Sequence, residues 1–247
     1  MRMPRTIVIT GAGSGLGRTL ARRFAGDGER IVLLGRTRSK IEAVAAEIGE
    51  RAIAVECDVS SADSVRSAFD AIAQSCPAID VLINNAAIYQ PFLVAEARDD
   101  QILDAIGTNV TGPVLCVRAA IPMMGRGGHV INVSSEVVSI NNYPFFTLYQ
   151  MTKAGLERFS QSLAHELEPS GIRVTTIRAG FMMDADTNWD LDPAIAVRFA
   201  EAAAAAGLNL AARPISQFTS VADVFRAVID LPADLTTSCI VLEARRP

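Results

Sequence analysis

With 247 residues, half of them hydrophobic, the chain can bury a large core, and its length allows one large domain or two small ones. A formal net charge of -4 and the lack of any long Lys/Arg run disfavour a nucleic-acid partner or an anionic membrane surface. Cys57, Cys76, Cys116 and Cys239 show no CxxC spacing and His129 and His165 are the only histidines, so metal clusters, disulfide frameworks and histidine triads lack parts.

The first ten residues, MRMPRTIVIT, run straight into strand-like sequence without a separate apolar leader, and no stretch approaches the ~18–20 apolar residues of a membrane span. A cytoplasmic protein with buried free thiols is expected. Thr6 to Thr10 is a β-branched run that passes directly into glycines. Gly11, Gly15 and Gly17 follow the spacing TGxxxGxG, with Gly13 as an extra glycine. Glycines directly after a strand let backbone approach a pyrophosphate at the following helix N-terminus. The alternative at this point is a plain flexible turn.

Leu16 to Asp27 reads as a helix with Leu16, Leu20 and Phe24 on one face, and Ile31 to Leu34 as a second strand ending at Gly35-Arg36. An acid at that strand end suits the ribose 2′-hydroxyl of NAD, a base the 2′-phosphate of NADP. Arg36 stands there, with Arg38 and Lys40 close behind and no carboxylate, which favours NADP and leaves NAD as the alternative. A helix over 39–48 leads to a third strand, 52–55, and to Cys57-Asp58-Val59. Asp58 either faces an adenine amino group or forms a turn. A fourth strand, 80–83, opens into Asn84-Asn85-Ala86-Ala87, whose amides either bond a cofactor or hold neighbouring backbone.

The apolar stripe from Asp99 to about Arg126 predicts one long helix, with Asn109 inside it as a poor helix former that satisfies kinked backbone or holds a water. His129 to Val133 forms a fifth strand that delivers Ser134 and Ser135 to its carboxyl end. After an aromatic loop, 141–146, come Tyr149 and Lys153, which helical i, i+4 spacing puts on one face. That helix runs to Leu167, and Arg173 to Ile177 forms a sixth strand ending at Arg178-Ala179-Gly180. From Phe181 to about Phe218 the strand–helix rhythm breaks down into a candidate lid, before a helix near 221–229 and a last strand, 240–242. Strand then helix, repeated about six times, predicts an α/β fold: a doubly wound parallel sheet in a single domain, 1–247, covered on both faces.

Ligands of such sheets bind at the carboxyl ends of the strands, where the glycine turn, Arg36, Asp58, Asn85, Ser135 and Gly180 all fall. Making a tyrosine an acid/base near neutrality means lowering its pKa by about three units, or roughly 4 kcal/mol. One cation about 4 Å away at an effective dielectric near 20 supplies about that much. Lys153 is therefore sufficient for Tyr149 in magnitude, although a lone YxxxK is by itself an ordinary amphipathic pair.

TGAGSGLG at 10–17, CDV at 57–59, NNAA at 84–87, NVTG at 109–112, INVSS at 131–135, YQMTK at 149–153 and RAG at 178–180 together resemble the short-chain dehydrogenase/reductase family over nearly the whole chain. The resemblance implies a Rossmann-like fold with a mostly parallel seven-stranded sheet and nicotinamide-dependent carbonyl/alcohol chemistry on a small-molecule substrate. It implies a tetrad in which Asn109 holds a relay water, Ser135 orients the substrate oxygen, Tyr149 is the acid/base, and Lys153 lowers the tyrosine pKa and binds the nicotinamide ribose. Cofactor contacts are implied at Gly11, Ser14, Gly15, Leu16 and Gly17 in the turn and at Arg36, Asp58, Val59, Asn85 and Ala86 beyond it. Further contacts are implied at Gly180 and Met182, alongside Tyr149 and Lys153. A homodimer or homotetramer built on helices 99–126 and 149–170 is implied as well.

The chain departs from the family pattern in places. Ser135 lies fourteen residues before Tyr149 rather than thirteen, which brings Ser134 or Glu136 into consideration. NNAG appears as NNAA, Pro-Gly as Ala179-Gly180, and the carboxamide-binding threonine is absent at 183 and 184, with Thr187 as its substitute. The C-terminal Asp-Gly-Gly is replaced by VLEARRP. Phe92, Tyr143, Phe145, Phe146, Phe181, Met182, Met183 and Trp189 lie in segments expected to border the site, and they point to a bulky apolar or aromatic substrate or, alternatively, to core packing. The competing functions are a non-catalytic dinucleotide sensor and an NAD-dependent alcohol dehydrogenase.

Overall fold

Side chains alternate across a strand, so a run of apolar residues without polar interruption can only be satisfied by a strand covered on both faces. The first such run is β1 (Thr6–Thr10), in which every residue is buried. The computed structural model describes residues 3–184 and 191–245. It places β1 inside a sheet with β2 (Arg30–Gly35), β3 (Ala52–Glu56), β4 (Val81–Asn84), β5 (His129–Ser135), β6 (Arg173–Ala179) and β7 (Cys239–Val241). The order is β3-β2-β1-β4-β5-β6-β7, with every pairing parallel. Val8 is in register with Val32 on one side and Leu82 on the other. Between β1 and β4 the winding reverses direction, and the crevice outside the carboxyl ends there is where such sheets bind ligands.

Alternation splits the core into two layers. Ile7 and Ile9 face α1 (Gly15–Gly26), meeting Leu20 and Phe24, and also Phe225 of the late helix 218–229. Val8, Val32, Leu82 and Val130 face the other way. There they pack with Phe69 and Ile72 of the helix 62–75 and with Leu163 of the helix 147–167. In chain order the remaining helices are α2 (Arg38–Ile48), α3 (Ala62–Ser75), α4 (Asp99–Ile106), α5 (Gly112–Ala120), α6 (Thr147–Leu167), α7 (Pro193–Ala205) and α8 (Phe218–Ile229). Among the described residues no helix is long and apolar enough to cross a membrane.

The single helix expected over 99–126 is broken. A π-helical turn, Gly107–Thr111, separates α4 from α5, and a short 3-10 turn, Ile121–Met123, follows. Glycine at 112 lets the helix approach β3's exit loop: a Cβ there would stand 2.9 Å from Val59 Cγ2. Pro113 and Pro122 lie just after the junctions, each without an N–H to donate. In the late excursion α7 is a well-capped helix, with Asp192 Oδ1 accepting the Ala194 N–H at 2.8 Å and Pro193 in its first turn.

Candidate active site

The glycine turn is fastened to the end of β4. Thr10 Oγ1 accepts the N–H groups of Asn85 and Ala86, both at 3.0 Å, and Asn85 Nδ2 donates to Thr10 O at 2.9 Å. The Asn85 amide thus holds backbone, while the residue also lines the cleft. Thr10 carries this junction, and in the sequence only its place at the head of the glycine motif marks it. Gly11 has φ +66°, and a Cβ on it would lie 2.9 Å from Ala86 Cα. At the start of α1 the Ser14 side chain makes no cap bond and the first turn holds no acid. The first turn of a helix leaves N–H groups without intrahelical partners, and with Ser14, Gly15 and Leu16 lining the cleft this donor set fits the pyrophosphate of a dinucleotide.

The cleft has a volume of about 470 Å³ and runs from Arg36, Lys40 and Asp58, past Gly11 and Asn85, to Ser135, Tyr149 and Lys153. Ser14, Gly15, Leu16, Val59, Ala86, Gly180 and Met182 also line it. Two expected residues do not. Gly17 is a packing position, because a Cβ there would be 2.3 Å from Gly11 O. Asn109 is spent on structure, its Oδ1 accepting from Ile88 N and its Nδ2 donating to Ile88 O, both at 2.8 Å. Nδ2 also reaches Thr152 Oγ1 at 3.1 Å. Of the two readings of that amide, satisfied backbone describes its side chain. At the adenosine end, Asp58 Oδ1 accepts from Ser60 N and Oγ at 3.0 and 2.7 Å, making a local turn. Arg38 points away from the cleft into a pair with Glu42 at 2.7 Å, so only Arg36 and Lys40 of the three cations face the crevice.

At the other end Ser135 and Tyr149 line the cleft together, and Ser135 Oγ accepts the Val137 N–H at 3.4 Å. Ser134 is turned into the core, donating to Glu157 Oε1 at 2.6 Å. Lys153, 3% exposed, donates from Nζ to Val133 O at 2.8 Å and lies 5.7 Å from the Tyr149 ring centroid. Burial pushes the Tyr149 phenol well above its ordinary value, with Ser135 acting in the opposite direction. It also pushes Lys153 down to about 8. This corrects the expectation of a lysine-depressed tyrosine: desolvation is the larger influence, and the ammonium is anchored to a carbonyl beside the ring.

The loop between Ser135 and Tyr149 is held by its own contacts. Phe145 takes a left-handed φ of 65°, and Gln150 Nε2 ties the loop back to Val137 O and Ile140 O at 2.8 and 2.6 Å. Tyr143, Phe146, Phe181, Met182 and Met183 line the cleft. Phe92 and Phe145 do not; both are buried, and Phe145 packs edge-on to Phe199 of α7. Thr187 and Trp189 lie outside the described residues.

Two arrangements had no signal in the sequence. Arg178 makes a two-pronged bond to Glu157, at 2.9 and 2.6 Å, and reaches Ser139 Oγ at 2.8 Å, which braces the end of β6 against α6. Burial raises the Glu157 carboxyl, and its bonds from Arg178 and Ser134 more than reverse this, leaving it below the usual value. Arg213, from the late excursion, pairs with Glu136 and donates to the Tyr143 hydroxyl at 2.9 Å, and all three residues line the cleft. A partner pair 77 residues apart has no local motif.

Residues 5–195 match the family model described as short chain dehydrogenase. Among curated proteins the chain is 34% identical over 182 residues to carbonyl reductase family member 4 of Danio rerio, covering 73% of this chain and 76% of that protein. It is 33% identical over 194 residues to a 3-oxoacyl-[acyl-carrier-protein] reductase of Staphylococcus aureus, covering 76% and 78%. Among solved structures, a short chain dehydrogenase from Burkholderia cenocepacia in complex with NADP superposes with a TM-score of 0.82 at 25% identity, covering 97% of this chain and 96% of that one.

Proposed function

This chain belongs to the short-chain dehydrogenase family, and from that premise we propose that it is an NADP(H)-dependent reductase of carbonyl groups on bulky apolar or aromatic substrates, forming secondary alcohols. The observation that carries this reading is the convergence of Ser135, Tyr149 and Lys153, whose Nζ lies 5.7 Å from the Tyr149 ring centroid, at one end of a cleft whose other end is the glycine turn and Arg36. When bound, the dinucleotide supplies a hydride to the carbonyl carbon. The turn and the first N–H groups of α1 hold its pyrophosphate, and Ser135 and Tyr149 direct their hydroxyls at the carbonyl oxygen. Tyr149 gives that oxygen its proton as negative charge develops there, and the Lys153 ammonium offsets the charge left on the phenol.

NADP is favoured by the cations at the adenosine end. Arg36→Ala is expected to weaken NADPH binding roughly 10- to 100-fold, the worth of a charge-assisted bond, and to leave NADH nearly unaffected. Wild-type protein binding NADH more tightly than NADPH in a fluorescence titration would reverse the assignment. The assembly is a homodimer or homotetramer, supported by Leu103, Val114 and Met151, which stand exposed on α4, α5 and α6. Light scattering that returns the monomer mass at micromolar concentration rules this out. The described cysteines are all free thiols, in keeping with a reducing cytoplasm.

A further inference from the structure

Arg213 and Glu136 form the charged pair of an otherwise aromatic substrate end. The Arg213 guanidinium lies 5.5 Å from the Tyr143 ring and 5.7 Å from the Phe181 ring. Nη1 donates to the Tyr143 hydroxyl and Nη2 to Glu136 Oε1. The two side chains are only 17% and 22% exposed. An arginine carries five donor hydrogens, so this bonding leaves N–H groups over. Glu136 Oε2 has no bond among the described residues, and a Cβ built on Gly180 would lie 3.4 Å from it. Since Glu136 directly follows Ser135, the open carboxylate oxygen and the open guanidinium donors flank the residue that meets the reacting oxygen.

A substrate entering here strips water from both. An apolar substituent leaves a donor and an acceptor unmatched, each costing about 1–3 kcal/mol. A carboxylate satisfies Arg213 but meets the Glu136 carboxylate, and an ammonium has the reverse problem. A hydroxyl, which accepts from one and donates to the other, satisfies both without adding charge to a neutral pair. We propose that the Glu136–Arg213 pair determines specificity by reading a neutral hydroxyl close to the reacting carbon, so that the preferred substrates are hydroxyketones and the corresponding diols. This rests on the reading of the site as a carbonyl reductase. The pair selects as much by rejecting anions as by binding the hydroxyl.

Three ketones with one phenyl body test it: acetophenone, 2-hydroxyacetophenone and phenylglyoxylate, assayed with the full chain and NADPH. Their reduced forms (1-phenylethanol, 1-phenyl-1,2-ethanediol and mandelate) are titrated by calorimetry into protein saturated with NADP. The hydroxylated member of each set is expected to be favoured about tenfold or more in kcat/KM and in Kd over the plain one, the margin of a hydrogen-bonded over an unmatched group. Arg213→Met should bring that ratio within about threefold of unity. Glu136→Gln removes the repulsion and should raise phenylglyoxylate relative to 2-hydroxyacetophenone about tenfold, a gain that a misfolded variant cannot mimic. Equal binding of all three alcohols by wild-type protein overturns the proposal. So does an unchanged preference in both variants alongside a lowered Tm, which makes the pair a structural tie, or a loss confined to NADPH affinity, which assigns it to the cofactor. If no ketone turns over but the diol is still preferred in calorimetry, the reductase reading fails and the pair's role stands.

Discussion

Tyr149→Phe is expected to lower kcat for ketone reduction by roughly 10²- to 10⁴-fold, the contribution of a positioned general acid. The ring keeps its packing against Phe146, 6.0 Å between centroids, so only the hydroxyl is removed. Dinucleotide affinity should fall less than about tenfold, because one neutral hydrogen bond is worth about 1 kcal/mol. A variant that retains more than a tenth of wild-type kcat would show that proton transfer does not pass through this phenol. The pH profile gives a second readout. Burial holds the phenol in its protonated form, so reduction should be level through neutrality, and it should then decline as pH rises through about 8, where Lys153 gives up its proton. The sign follows from what the ammonium does: proton donation leaves negative charge on Tyr149, and a neutral amine does not offset it. In Lys153→Met that limb should be missing from a profile that is already low at every pH.

How much of this could be read from the residues alone depends on the range of the interaction. Strand and helix order came from local period, and the turn from local glycines, so β1 to β6, α1 and α2 agree with the pattern to within a residue or two. The break at Gly107–Thr111 was hidden because the apolar stripe of 99–126 continues across it; Asn109 within the turn bonds Ile88, 21 residues away. Gly17 and Gly15 are chemically identical in the motif, yet Gly15 lines the cleft and Gly17 faces Gly11 O. Only the packing of α1 on the turn separates them. Desolvation has no sequence signature either, which is why the tyrosine and lysine shifts ran against a purely Coulombic estimate. The Arg213–Glu136 pair needed the excursion 181–218 to be folded back over the loop after β5 before it existed at all.

The second large effect is expected at Gly17. Helix propensity alone makes Gly17→Ala favourable by about 1 kcal/mol, since Gly17 sits inside the first turn of α1 and has ordinary helical backbone. Sterics oppose it: the new Cβ would stand 2.3 Å from Gly11 O, 2.9 Å from Gly11 C and 2.7 Å from Asn85 Nδ2. None of these is the far end of a flexible side chain, and the Asn85 amide is itself fixed on Thr10 O. Either α1 moves off the turn or the turn deforms, at an overpacking cost of about 1–3 kcal/mol. Net destabilisation of about 0–2 kcal/mol follows, with Tm down by up to several degrees. Because the same displacement draws the open N–H groups of α1 away from the cleft, NADPH affinity should fall more than about tenfold, which is the loss of one or two charge-assisted bonds. Gly26→Ala is the matched control: it lies at the other end of the same helix with nothing within 4 Å of the added Cβ, and it should leave Tm unchanged or raised. If Gly17→Ala behaved like Gly26→Ala in calorimetry and in cofactor titration, the turn and α1 would not be in contact as described, and the placement of the dinucleotide against them would fall with it.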